Sequence, residues 1–163
     1  MAESKRHIIG WLALSILIIG LDQWTKGLAH TQLEYGIPIA ILPVFDLTLR
    51  YNPGAAFSFL SDAGGWQRWF FTAIAAVVSV VLVVWLSRLR NDQKLLACGL
   101  ALILGGAIGN LWDRLVLGYV IDFISVHYQQ KYFPAFNIAD SAITVGAGLM
   151  ILDMILHPEQ KDN

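Results

Sequence analysis

The sequence predicts an all-α membrane protein, a four-transmembrane-helix bundle with a small amphipathic β-sheet on the outer membrane surface. Its 163 residues are 56% hydrophobic and only 14% charged, whereas soluble domains carry about 25% charged residues. Four apolar runs are long enough to cross a hydrocarbon core of ~30 Å. Between the first two runs, apolar and polar residues alternate with the period of two that is typical of a strand. At this length we expect a single integral membrane domain over residues 1–163.

The first apolar run begins at Ile8 behind a polar, basic leader and continues past Leu21. A secretory signal peptide has the same plan, but no small-x-small cleavage site follows this run. The chain goes on to Asp22-Gln23-Trp24-Thr25-Lys26, so we predict a retained first transmembrane helix over about residues 8–28. Asp22 and Lys26 are four residues apart, which suits an ion pair on one helix face. Two interpretations stay open: a pair at the membrane boundary whose lysine snorkels to water, or part of a polar site.

Residues 29–65 form the longest polar connection, and we predict that they lie on the outer membrane surface. From Phe45 to Asn52 every second side chain is apolar, which predicts an amphipathic strand. Asn52-Pro53-Gly54 supplies a turn after it. A small sheet of this kind cannot cross the bilayer, because its open edges would leave backbone groups unsatisfied in lipid. The following segment, Ala55–Leu60, is interpreted as either a second strand or a loop that dips towards a site.

The other three spans are predicted over residues 66–86, 95–114 and 136–156. In the third span, Gly105-Gly106-Ala107-Ile108-Gly109 removes side chains, so another helix can approach closely. The short loop between the second and third spans holds Arg88, Arg90 and Lys94. Basic residues in short loops favour the cytoplasmic side. We therefore predict that both termini are cytoplasmic and that the opposite ends of the helices face outward.

Two carboxylates lie among apolar side chains near the C-terminal third: Asp122 in Val120-Ile121-Asp122-Phe123 and Asp140 in Phe136-Asn137-Ile138-Ala139-Asp140-Ser141. Carboxylates are costly at membrane depth and mark candidate functional sites. We expect Asp122 and Asp140 to meet across a helix interface, where repulsion would make them share one proton. Such a pair can activate water and protonate a departing amine, which suits peptide hydrolysis with neither a metal nor a covalent intermediate.

Other interpretations of the two aspartates stay open. Asp122 could cap a helix, and Asn137-x-x-Asp140 could cap the start of the fourth span. Facing carboxylates also occur in proton-coupled transporters, although four spans are few for alternating access and no inverted repeat is evident. A third possibility is a structural membrane subunit, in which polar residues only hold helices together.

More polar residues are expected at the outer ends of the spans. Some are spaced three or four apart, as are Asn110 and Asp113, so they share a helix face. Converging polar groups are what a water-containing cavity needs. The full set is Asp22, Lys26, Asn52, Asn110, Asp113, Arg114, Asp122, Asn137 and Asp140.

Other kinds of site find little support in the sequence. The four histidines are scattered and give no metal-ligand spacing. Cys98 lies in an apolar run and is interpreted as a small buried filler. The net charge of -1 provides no basic surface for nucleic acid. We expect no metal, no cofactor and no nucleic-acid partner.

Together these motifs resemble the signature blocks of bacterial lipoprotein signal peptidase, also called signal peptidase II. Asp22 and Lys26 match the first block of that family. The other blocks are Asn52-Pro53-Gly54-Ala55-Ala56-Phe57-Ser58, Gly105-Gly106-Ala107-Ile108-Gly109-Asn110-Leu111-Trp112-Asp113-Arg114, Val120-Ile121-Asp122-Phe123 and Phe136-Asn137-Ile138-Ala139-Asp140-Ser141. The resemblance covers nearly the whole chain in order, and only the polar tails lie outside it. It implies a four-helix membrane bundle with a small surface sheet.

The resemblance also implies an aspartic endopeptidase that cuts signal peptides from prolipoproteins just before a diacylglyceryl-modified cysteine. By motif position, the catalytic aspartates of the family carry over to Asp122 and Asp140. Its substrate-binding and supporting residues carry over to Asp22, Lys26, Asn52, Gly54, Asn110, Asp113, Arg114 and Asn137.

A location follows from the same resemblance: the bacterial cytoplasmic (inner) membrane, with the active site near the periplasmic face. The implied partners are prolipoprotein substrate and membrane lipid. The antibiotic globomycin is expected to occupy the same cleft. Nothing in the sequence demands more than a monomer.

Overall fold

The structure, a computed structural model, describes residues 2–54 and 66–157, with side chains from residue 8 onward. Within these ranges lie the helices α1 (Ala2–Gln32), α2 (Trp66–Arg88), α3 (Lys94–Val116) and α4 (Ile138–Leu156). The strands are β1 (Ile39–Leu42), β2 (Phe45–Asn52), β3 (Val120–Tyr128) and β4 (Lys131–Tyr132). The segment Ala55–Leu60, interpreted from sequence as a strand or a loop, lies outside the described residues.

Each helix contains a stretch that is long and apolar enough to cross a membrane. These stretches are Ile8–Gln32, Trp66–Arg88, Lys94–Val116 and Ile138–Leu156. The predicted four-span fold is confirmed, and the chain is a multi-pass membrane protein. The first helix extends beyond its predicted end at residue 28 and ends at Gln32.

Helix α3 is the centre of the bundle and contacts α1, α2 and α4. In its apolar window 56% of residues are buried, against 11–17% in the other spans. Glycines allow this close packing. A Cβ on Gly105 would lie 2.8 Å from the Cβ of Ile18 in α1, and a Cβ on Gly106 would overlap the carbonyl oxygen of Ala139 in α4. The predicted close approach of helices at these glycines is confirmed.

The sheet is antiparallel and has the strand order β1-β2-β3-β4. Strand β2 confirms the predicted amphipathic strand, and its residue Arg50 pairs with Asp122 of β3. Strand β3 is also bonded to the residue that lies two before α4: Phe123 and Ile124 donate their backbone N–H groups to the carbonyl oxygen of Phe136 at 3.0 and 2.9 Å. The sheet is therefore tied directly to the start of the last span.

The expected location of Asp122 at a helix interface is wrong. Asp122 lies in strand β3, and only Asp140 is helical. Strand β3 is buried on both faces over its first four residues, so it lacks the alternation that identifies β2 in the sequence. The fourth span also begins later than residue 136, because Asn137 is the N-cap of α4 and Phe136 pairs with β3.

Replacement of Gly106 by alanine tests the packing of α3 on α4. We expect Gly106→Ala to destabilise the protein by about 2 kcal/mol, because the added methyl group has no space against the backbone of α4. Thermal unfolding in detergent measures this effect. Gly148→Ala in α4 is the matched control, because a Cβ there meets nothing within 4 Å and alanine favours the helix. Equal losses in the two variants would contradict the close packing.

Candidate active site

Asn137 joins the two carboxylates that the sequence singled out. Its Nδ2 donates to Asp122 Oδ1 at 2.8 Å, and its backbone N–H donates to Asp140 Oδ2 at 3.3 Å. Its Oδ1 accepts from the backbone N–H of Asp140 at 2.9 Å, which completes a capping box at the start of α4. Because β3 passes the start of α4, one asparagine contacts both aspartates.

Asp122 is almost fully buried, with 3% of its surface exposed. Its Oδ2 accepts a hydrogen bond from Asn52 Nδ2 at 3.1 Å. Burial, followed by the negative charge of Asp140, raises the pKa of Asp122 to about 7, while the hydrogen bonds from Asn52 and Asn137 act in the opposite direction. Asp122 can therefore hold a proton near neutral pH.

Asp140 has contacts that suit a carboxylate anion. Its Oδ1 accepts from Asn110 Nδ2 at 2.8 Å. It also occupies the third position of α4, where the helix N-terminus favours negative charge. The helix-capping interpretation is correct for Asp140 and wrong for Asp122, which lies in a strand. Capping does not exclude a second role, because Asn137 connects the same carboxylate to Asp122.

The ammonium group of Lys26 is buried behind the two aspartates. Its Nζ lies 2.7 Å from Asp22 Oδ2, 2.9 Å from Asp113 Oδ2 and 2.9 Å from Asn110 Oδ1. These three acceptors match the three donors of an ammonium group. Lys26 is 2% exposed and Asp22 is fully buried, so the snorkelling interpretation is wrong and the pair belongs to a polar site. Asp22 Oδ1 also accepts from the backbone N–H of Ala139 at 2.9 Å, which connects α1 to α4.

Gly54 and Asn52 form a small turn at the end of β2. The backbone N–H of Gly54 donates to Asn52 Oδ1 at 2.9 Å, which leaves Asn52 Nδ2 directed at Asp122. Gly54 has a φ of 107°, and a Cβ there would lie 2.8 Å from the ring of Phe71. A glycine is required here on both grounds.

The side chain of Arg114 contacts the site through the backbone carbonyl oxygen of Asn110. Its Nη1 donates to the carbonyl oxygen of Asn110 at 3.2 Å, and its guanidinium lies 5.8 Å from the ring centre of Phe71. Its Nε is buried with no hydrogen-bond partner among the described residues. The positive charge interacts electrostatically with Asp140 and Asp122, so Arg114 can offset part of their negative charge.

Gln23 belongs to the site although the sequence did not single it out. Its Nε2 donates to Asp113 Oδ1 at 2.8 Å. The available signal is its position beside Asp22, where a polar residue in an apolar span requires a partner. The backbone N–H of Ile121 is also part of the site, since it donates to Asp113 Oδ2 at 3.2 Å. A backbone contact of this kind leaves no trace in the sequence.

A cavity of about 530 Å³ opens above the site. Asp122 and Asn52 form one part of its wall, and Tyr132, Phe133 and Pro134 form another. The cavity thus places a protonatable carboxyl group beside an apolar, aromatic surface. In the part of the chain that the structure describes, no group of three or more His, Cys, Asp or Glu side chains is arranged to hold a metal ion.

Comparison with known proteins places this architecture in a family. Residues 14–156 match the family model described as "Signal peptidase (SPase) II". The lipoprotein signal peptidase of Pseudomonas fluorescens is 59% identical over 155 residues, which cover 94% of this chain and 91% of the relative. The lipoprotein signal peptidase of Acinetobacter baumannii is 56% identical over 155 residues, which cover 95% of this chain and 88% of the relative.

A solved structure described as that of a bacterial membrane enzyme has the same fold. It matches with a TM-score of 0.81 at 28% identity, over 94% of this chain and 92% of its own. A second structure with a similar description gives a TM-score of 0.78 at 29% identity. The chain therefore belongs to the signal peptidase II family of membrane peptidases.

Proposed function

We propose that this protein removes the signal peptide from diacylglyceryl-modified prolipoproteins by cutting N-terminal to the modified cysteine, with Asp122 and Asp140 activating the attacking water. One observation carries the proposal: two carboxylates are bridged by Asn137, and one of them, Asp122, lines a cavity at one end of the helices. The names of the relatives support the substrate class.

The surroundings of the two aspartates favour one distribution of the shared proton. Asp140 is the ionised member, because Asn110 and the α4 N-terminus donate to it. Lys26 binds the oxygen of the Asn110 amide, which polarises that amide towards Asp140. Asp122 is the protonated member, in keeping with its pKa of about 7. Unequal environments of this kind separate an acid from a base.

The reaction then follows from these two states. Asp140 takes a proton from water as the water oxygen forms a bond to the scissile carbonyl carbon. Asp122 gives its proton to the carbonyl oxygen, which yields a neutral tetrahedral diol. Asp140 next transfers its proton to the nitrogen as the C–N bond breaks, and Asp122 regains a proton from a diol hydroxyl as the carboxylic acid forms. The pair ends with the single proton it had at the start.

Several neighbouring residues support this chemistry in the proposal. Asn52 and Asn137 hold Asp122, and Gly54 fixes the amide of Asn52. Arg114 compensates negative charge near the substrate. The buried ammonium group of Lys26 holds the site together through its contacts with Asp22, Asn110 and Asp113.

The proposed setting is the bacterial cytoplasmic membrane, with both termini cytoplasmic and the site near the periplasmic face. The basic residues Arg88, Arg90 and Lys94 connect α2 to α3. The site lies at the opposite end of α3, a helix of 23 residues and thus about 35 Å long. Basic residues in a short loop favour the cytoplasmic side. A lipid-modified substrate can then reach the cavity laterally from the bilayer.

Substitution of the aspartates tests the proposed pair. We expect Asp122→Asn and Asp140→Asn each to lower cleavage of a purified diacylglyceryl-modified prolipoprotein at least 1,000-fold, on the order of the effect of removing a general acid or base. The same substrate without lipid is the control for substrate class. Cutting at the wild-type rate by either variant would disprove the two-aspartate mechanism.

Folding of the Asp122→Asn variant is checked by the pH dependence of its melting temperature. A carboxyl group whose pKa is raised in the folded state costs stability as the pH rises above its unfolded value of 3.8 towards 7. The asparagine variant should therefore gain stability relative to wild type at pH 8, and the gain should disappear near pH 4.

Asn137→Ser separates the helix-capping role of Asn137 from its hydrogen bond to Asp122. Serine still caps a helix, but it lacks the amide that donates to Asp122. We expect kcat to fall at least tenfold, while the melting temperature changes by a few degrees. Unchanged turnover of the lipidated substrate would show that the bridge to Asp122 is not needed.

The pH dependence of kcat/KM tests the role of Asp122 as the proton donor. Activity should fall as the pH rises through about 7, because Asp122 loses its proton there. Asn52→Ala removes a hydrogen bond that lowers the pKa of Asp122, so the alkaline fall should move to higher pH. A shift to lower pH in this variant would contradict the assignment. Thr31→Val, in which an exposed hydrogen bond within α1 is lost, serves as the control and should keep the wild-type profile.

A further inference from the structure

Gln23 reaches from α1 to α3 beside the site. Its Nε2 donates to Asp113 Oδ1 at 2.8 Å and lies 3.2 Å from the carbonyl oxygen of Gly109 and 3.3 Å from Asp22 Oδ2. All three neighbours are acceptors, and Asp22 and Asp113 are buried. The amide of Gln23 therefore supplies hydrogen-bond donors to a group of oxygens that water reaches poorly.

The carboxylate of Asp113 also contacts the strand that carries Asp122. The backbone N–H of Ile121 donates to Asp113 Oδ2 at 3.2 Å, and the carbonyl oxygen of Ile121 accepts from Asn137 Nδ2 at 3.2 Å. The backbone of the residue immediately before Asp122 is thus held on both of its polar groups. Asp113 Oδ2 also contacts Lys26 at 2.9 Å.

We propose that Gln23 is a positioning residue for the peptidase reaction: by fixing the carboxylate of Asp113, it holds the backbone of Ile121 and so directs Asp122 towards Asp140. The proposal rests on the function proposed above, in which Asp122 and Asp140 act on the substrate. Besides Gln23, the carboxylate of Asp113 contacts Lys26 Nζ and the backbone N–H of Ile121, and both of these contacts are made to Oδ2. Without the donor on Oδ1, the carboxylate is free to rotate about its Cβ–Cγ bond, and the contact with Ile121 loosens.

A glutamine that only stabilises the interface of α1 and α3 would make the same hydrogen bond, so stability alone cannot test the proposal. A change in the electrostatic surroundings of Asp122 can test the proposal. The charged groups that face it are Asp140 from α4, Lys26 from α1, Arg114 from α3 and Arg50, its partner in β2. Displacement of Asp113 alters the contacts of Lys26 and the bonds that Asp122 receives, whereas an interface contact alone leaves them unchanged.

The experiment compares Gln23→Met and Gln23→Glu with wild type in detergent, using a purified diacylglyceryl-modified prolipoprotein. Methionine has nearly the length and volume of glutamine but no donor. Glutamate has the same shape but adds a negative charge beside Asp113. Ser15→Ala is the matched control, because Ser15 Oγ is buried and donates to the carbonyl oxygen of Ala101 at 2.8 Å across the same two helices. Ser15 lies eight residues before Gln23, about 12 Å along α1.

We expect Gln23→Met to lower kcat about tenfold with little change in KM, since it removes one hydrogen bond to a charged group. Gln23→Glu should lower kcat further. In both variants the alkaline fall of activity should move to higher pH by about 0.5 unit or more, because Asp122 loses donors or gains a negative neighbour. Ser15→Ala should lower the melting temperature and leave kcat and the pH profile as in wild type.

Other results would overturn the proposal. If both Gln23 variants resemble Ser15→Ala, with a lower melting temperature but wild-type kcat and pH profile, Gln23 is an interface residue only. Loss of the fold in both variants would lead to the same conclusion. Failure of wild type itself to cut the lipidated substrate would instead contradict the proposed function, so the two failures are distinguishable.

Discussion

Burial of the Lys26 ammonium is the constraint on which the rest of the site depends. Removal of an ion from water costs several kcal/mol, and this cost is offset only when every donor has a partner in good geometry. The partners come from α1 and α3, so these helices must approach closely at one level. Gly109 allows this approach, because a Cβ there would lie 2.6 Å from Asp22 Oδ2. The same close approach of α1 and α3 therefore serves both helix packing and assembly of the polar site.

The network around Lys26 also gives two residues of one type different surroundings. Asp140 receives its strongest bond from Asn110, the amide that Lys26 binds. Asp122 lies in a buried strand and receives its side-chain bonds from the amides of Asn52 and Asn137. The fold therefore places one carboxyl group at a helix N-terminus and the other in a poorly solvated sheet. That difference in environment is what the proposed acid and the proposed base, which are of the same chemical type, require.

The sequence predicted those parts of the fold that depend on local patterns. Helix-length apolar runs predicted the four spans, alternation predicted β2, and the spacing of four predicted the pairing of Asp22 with Lys26. Strand β3 was missed, because burial on both faces removes alternation and the strand pairs with β2, about seventy residues earlier in the chain. Burial of the ammonium was undecided for a similar reason: its other partners come from α3, and sequence spacing says nothing about contacts between distant helices.

The position of Asp140 in α4 has a consequence for when the proposed pair can form. The proposed pair is complete only after α4 has entered the bilayer and Asn137 has capped its first turn. A nascent chain that has inserted only three helices carries Asp122 without Asp140. In the proposed mechanism, such a chain cannot yet cut other proteins that cross the same membrane. The order of residues along the chain thus delays assembly of the proposed pair until α4 has been synthesised and inserted.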